Sequence, residues 1–214
     1  MKQGLVPILF LITFCILGCK KDKTERPSSN DYLPLTNGSV WKYSYGSDGG
    51  HTDTLTITMT GGTTKINGKT YYDVTSTYKQ GFSQGYFYAG NHFYATRTVA
   101  LGSNVAMEFQ LLNDTASVGY HWKASPTDDG KVSGIPAQTV NTIVEKGISR
   151  VENGRTFTDV IHTRVELQYN YGSDYQTYIT YDFYLAKGVG LIESDANTLD
   201  SFFETENLFE YTIR

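Results

Sequence analysis

The sequence is short of cysteine, proline and charge, and each shortage closes off a class of protein. Two cysteines in 214 residues cannot build the disulfide framework of a small secreted scaffold, so the fold has to rest on its core. Five prolines leave no proline-rich segment. Charged residues make up 19%, the net charge is −4 and no basic run is longer than Lys20-Lys21. That balance argues against nucleic acid as a partner. Long hydrophobic runs are missing too. The one sustained apolar segment, Leu5 to Leu17, has 13 residues, short of the roughly 20 that a bilayer-spanning helix needs. After it, no stretch keeps apolar residues at i, i+3, i+4 and i+7 for three turns, so a helical body is not expected.

Glycine (21) and tyrosine (17) are what the chain has in quantity, the balance of a turn-rich β protein. From Tyr32 onward the hydrophobic period is 2. Leu55, Ile57 and Met59 share a face with threonines between them. Phe157, Ile161, Val165, Leu167 and Tyr169 alternate with Thr158, His162, Arg164, Glu166 and Gln168. Ile179, Tyr181, Phe183 and Leu185 repeat the pattern, and Phe209, Tyr211 and Ile213 offer a last apolar strip. Asn67-Gly68, Gly90-Asn91, Asn153-Gly154 and Gly172-Ser173 are turn signals between such runs. The expectation is an all-β, single-domain fold over residues 32–214: a curved antiparallel sheet or partly open β-barrel with at most one short helix, placed at Asn197 to Asn207. Ser125 to Pro136 is the one obvious internal loop.

Met1-Lys2-Gln3 ahead of the short apolar run reads as a signal peptide. Its end, Ile16-Leu17-Gly18-Cys19, resembles the lipobox of bacterial lipoproteins. The resemblance implies cleavage between Gly18 and Cys19 and lipidation of the Cys19 sulfur, palmitate included. Residues 1–18 would then leave, with Cys15 and Lys2 among them, and the remaining 196 would carry 17 basic and 22 acidic side chains, net −5. Lys20 to Asn30 hold no apolar side chain but Pro27, so 19–31 reads as a flexible tether. Two further segments resemble small Bacteroidetes-type lipoproteins: Tyr32-Leu-Pro-Leu-Thr-Asn-Gly-Ser-Val-Trp41-Lys-Tyr43 at the start, and Tyr184-Leu-Ala-Lys-Gly188-Val-Gly190-Leu-Ile-Glu193 near the end, with Gly119-Tyr120-His121-Trp122 between them. What this likeness implies is an all-β domain anchored by lipid in the cell outer membrane. The family has no established activity, so it lends no functional residues.

Candidate chemistry is thin. Gly81-Phe82-Ser83-Gln84-Gly85 matches the G-x-S-x-G elbow of α/β-hydrolases, but aromatic residues and a turn follow it where the motif needs a helix. We therefore read a glycine-rich loop joining two strands and expect Ser83 to be inert. His51, His92, His121 and His162 share no metal-ligand spacing, and Asp128-Asp129-Gly130 and Asp195-Ala-Asn197 lack the further ligands of a calcium loop. Asp159 falls in phase with inward residues, where a carboxylate costs free energy unless paired; a salt bridge or register-setting role is expected. Asp53-Thr54-Leu55 and Asp114-Thr115-Ala116 resemble O-glycosylation acceptors of such bacteria, which makes Thr54 and Thr115 candidate sites. Tyr178 and Tyr184 lie opposite in phase to Tyr181 and Phe183, so they are candidate binding aromatics facing water or a partner. No catalytic residue, metal or cofactor is expected. The expected function is a lipid-anchored binding or scaffolding domain for a protein or glycan; a carrier of a lipid or other apolar ligand is the alternative, and a carbohydrate-active hydrolase the remoter one.

Overall fold

The computed structural model describes residues 31–48, 50–79, 81–99, 105–198 and 203–214. The signal segment, Gly18 and Cys19 lie outside them. Among the described residues there is no helix. The first half forms β1 (Val40–Ser47), β2 (His51–Ile66), β3 (Lys69–Tyr78), β4 (Gly81–Gly90), β5 (Phe93–Val99) and β6 (Ala106–Asn113). Then come the short β7 (His121–Ala124) and β8 (Lys131–Val132). The second half holds β9 (Ile135–Glu152), β10 (Arg155–Asn170), β11 (Tyr175–Ala186), β12 (Gly190–Thr198) and β13 (Phe203–Thr212).

Every neighbouring pair is antiparallel, in the order β6-β5-β4-β3-β2-β1-β13-β12-β11-β10-β9-β7, with β8 paired to β9. Two meanders are thus zipped together where the last strand meets the first. A sheet this long twists on itself, and here its two ends come back into contact. The Trp122 indole on β7 donates to Gln110 on β6 at 2.6 Å, the Glu108 amide donates to the Pro126 carbonyl, and the Phe109 ring lies 4.8 Å from that of Tyr181. The result is a nearly closed barrel, the partly open form expected from the sequence.

Turn chemistry explains the hairpins. Asn67-Gly68 and Asn153-Gly154 both have positive φ at both residues, the primed geometry whose twist matches the strands. The β4–β5 turn sits one residue later than expected, at Asn91-His92. The opening and closing segments also meet in space. The Trp41 indole donates to the Val189 carbonyl at 2.6 Å, the Tyr43 hydroxyl to the Leu191 carbonyl at 2.9 Å, and the Gly188 amide to the Asp31 carbonyl. Gly190, between those acceptors, has φ +110°, and a Cβ there would stand 3.3 Å from the indole nitrogen.

Several local expectations fail, two of them at β-bulges. Asp159 is an exposed bulge residue at φ +53°, not an inward carboxylate. Gly81 to Gly85 belongs to β4 rather than to a loop, with Ser83 paired to Ser76. The stretch proposed as a helix is strand on both sides, β12 to Thr198 and β13 from Phe203. In β13, Lys42 pairs with Glu210 but Tyr43 pairs with Leu208, so Phe209 is the extra residue. That bulge reverses the phase of the strand: Leu208 is 1% exposed, and Glu206 and Glu204 follow it in alternation toward the barrel interior. His162 lies on the outer face, in phase with the outward set, and is buried there beneath neighbouring side chains with a hydrogen bond to Asp182.

Candidate functional site

The inner face of the barrel is built from the alternating residues of many strands, and the space between them is not filled. A cavity of about 200 Å³ lies inside, larger than the ~150 Å³ that suffices for a benzene-sized guest in an apolar protein interior. Trp41, Phe87, Phe109 and Phe183 supply rings, Leu33, Leu55 and Leu191 supply aliphatic wall, and Ser76, Thr96, Thr98 and Ser194 supply hydroxyls. The rings are mutually braced. Trp41 and Phe87 meet edge to face at 6.1 Å, and Tyr181 stacks on Phe183 at 5.7 Å.

One side of the cavity is acidic. Glu204 and Glu206 both line it, and no lysine, arginine or histidine does among the described residues. Glu206 sits opposite Tyr45 and Glu204 opposite Ser47 in the β1–β13 ladder. Burial raises the Glu206 carboxyl to about 7, with the neighbouring Glu204 adding to the effect, since a desolvated charge beside a like charge favours the neutral acid. Its side chain keeps some accessible surface because it borders the cavity. The phenols around the pair respond in kind. Burial lifts Tyr43 well above its usual range, with Glu206 contributing; burial also lifts Tyr78 to about 12, with both glutamates contributing. Tyr45 rises to about 12 through burial and its hydrogen bond to Glu204.

Chain direction places this acidic end. The chain enters at Asp31 and Tyr32, whose ring packs 6.1 Å from that of Tyr94, beside the start of β1. Glu204 pairs with the last residue of that strand, seven steps on, or about 23 Å at the rise of a strand. The carboxyls therefore lie toward the end of the barrel opposite the chain's point of entry.

The residues singled out from the sequence do not converge on this cavity. Tyr178 is exposed and packs against Tyr169 at the tip of the β10–β11 hairpin. Tyr184 is half-buried further along the outer face, stacked at 4.2 Å on His162 and covered by the Arg150 guanidinium 3.6 Å from its ring centroid. Five residues of strand separate the two tyrosines, so they form no single patch. Around Tyr184, His162 bonds Asp182 at 2.6 Å and Arg150 makes a two-point ion pair with Glu193. Thr54 and Thr115 are both exposed, on β2 and in the loop after β6. A second, polar cleft on the outer face holds Arg97, bound through both nitrogens to Asp128 at 2.9 and 2.7 Å, with Tyr71 and Lys69 donating to Glu108. Arg97, Lys69, Glu108 and Asp128 are thus partnered within the protein.

Glu204 and Glu206 were missed by sequence reasoning. The signal was present, since Glu204, Glu206 and Leu208 alternate with Thr205 and Asn207. The stronger aromatic strip at Phe209, Tyr211 and Ile213 has the opposite phase, and a single bulge separates the two.

No protein-family model matches the chain, and no curated protein does. Two solved structures resemble it in fold. One, provisionally assigned as a lipoprotein of Parabacteroides distasonis, superposes with a TM-score of 0.55 at 14% identity, covering 86% of this chain and 99% of its own. The other, from Bacteroides fragilis, is provisionally assigned as an exported protein with a YmcC-like fold. It has a TM-score of 0.51 at 9% identity, covering 84% of this chain and 98% of its own. At such identities the likeness is one of fold.

Proposed function

We propose that this protein is a lipid-anchored domain of the bacterial cell envelope that holds a small apolar molecule in its barrel and performs no covalent chemistry on it. The cavity carries the reading. A ring-lined hollow in an otherwise closely packed fold forfeits contact energy, and a guest that fills it recovers that energy. The two fold relatives, provisionally assigned as a lipoprotein and an exported protein, support the envelope location, as does the Leu17-Gly18-Cys19 segment. With Cys19 acylated in the outer membrane, the chain's entry at Asp31 would turn that end of the barrel toward the lipid and the acidic end away from it.

Organic extraction of protein purified from its own envelope should release a small apolar molecule, up to one per chain. Ala196 is buried on the cavity wall, so Ala196→Phe should fill the space and leave the extract empty. A wild-type extract no richer than the variant's would contradict the proposal. The anchor has its own check: Cys19→Ala should abolish palmitate labelling and move the protein to the soluble fraction, because two or more acyl chains are what make such anchoring stable. The absence of covalent chemistry is tested with a fluorophosphonate probe, which should leave Ser83 unlabelled.

A further inference from the structure

The acidic side of the cavity restricts what the guest can be. Among the described residues, nothing donates a hydrogen bond to the Glu206 carboxyl and no cation pairs with it. Arg97 and Arg150 pair with Asp128 and Glu193 on the outer face and do not line the cavity. A carboxyl kept from water without a partner is costly, and a structural acid would be expected to have acquired a lysine or arginine neighbour. The phenols of Tyr43, Tyr45 and Tyr78 stay protonated beside it, so they bring no positive charge. The two carboxyls bias the cavity toward positive charge, and aromatic rings line the same space, a setting in which a cation that meets a ring face gains further attraction.

We infer that the cavity selects cationic guests: an ammonium head seated against Glu206 and Glu204, with its aromatic or aliphatic tail among Trp41, Phe87 and Phe183. The inference rests on the reading of the cavity as a ligand site. Ammonium supplies the missing partner for the carboxyl, and its attraction is stronger among largely apolar walls than in bulk water. A carboxylate of the same shape would meet two like charges and is excluded.

The test uses the full chain in phospholipid vesicles at pH 8, where Glu206 is mostly ionised and an alkylamine still protonated. Three probes matched in ring and chain are titrated by calorimetry against protein-free vesicles: 3-phenylpropylamine, 3-phenylpropanol and 3-phenylpropanoate. The amine should bind roughly tenfold or more tighter than the alcohol, and the carboxylate should give no heat above the blank. Glu206→Gln should bring the amine down to the alcohol's level, and Glu204→Gln should narrow the gap. Equal binding of amine and alcohol by the wild-type chain, or tighter binding of the carboxylate, would overturn the charge selection while leaving the cavity a ligand site. Failure of all three to bind would overturn the ligand site itself.

Discussion

A carboxyl enclosed by aromatic side chains and a second carboxyl holds its proton more tightly than one in water, and Glu206 does so up to about 7. The folded state therefore binds this proton more tightly than the unfolded chain. The contribution to stability is full below the ordinary carboxylate value near 4.5 and is lost as pH rises through 7. Between pH 5 and pH 8 the wild-type protein should lose on the order of 2–3 kcal/mol from this group, read as a falling melting temperature. Glu206→Gln should flatten that part of the curve; an unchanged slope would mean that the carboxyl is not enclosed. The two outer tyrosines should also part company. Tyr184→Ala removes the stack on His162 and the Arg150 contact and should cost about 1–2 kcal/mol. Tyr178→Ala, at an exposed hairpin tip, should stay within about 0.5 kcal/mol. Thermal melts of the two variants decide it.

The strands themselves were readable from alternation and turn residues, while their phase at individual positions was not. In the β10–β11 hairpin Ile161 faces Leu185 and Val165 faces Tyr181, so the inward sets read from each strand share a face up to the one bulge, between Leu167 and Gln168, that leaves Tyr178 as the extra residue. Asp159 and Phe209 were misread because a bulge inserts one residue and reverses the inward face, and its position depends on the neighbouring strand's register. Period 2 within one strand carries no such information. The candidate site suffered most from this. Its walls come from strands far apart in sequence, and its two carboxyls lie on the far side of the β13 bulge. The bulge makes a sharp prediction. Leu208→Ala should cost about 2–5 kcal/mol as a core cavity, and Phe209→Ala only about 1 kcal/mol. The reverse order in chemical denaturation would restore the unbroken strip that the sequence suggests.

At the scale of the whole molecule, the barrel is held shut by contacts between its first and last elements. Trp41 on β1 is 1% exposed and its indole nitrogen meets the Val189 carbonyl just before β12, which ties the two meanders together beside the chain's entry. Trp41→Phe would leave that carbonyl unpaired and should destabilise the protein by about 1–3 kcal/mol in equilibrium unfolding, beyond any loss from the smaller ring. The same architecture leaves the hollow that the proposed function depends on, so its occupancy is the decisive question. The most direct measurement is the anomalous scattering of a crystal soaked in 3-(4-bromophenyl)propanol. The account predicts a bromine peak inside the barrel, among Trp41, Phe87 and Phe183, that is absent from Ala196→Phe crystals. An interior without bromine, with peaks only on the outer face beside residues such as Tyr178, would contradict it.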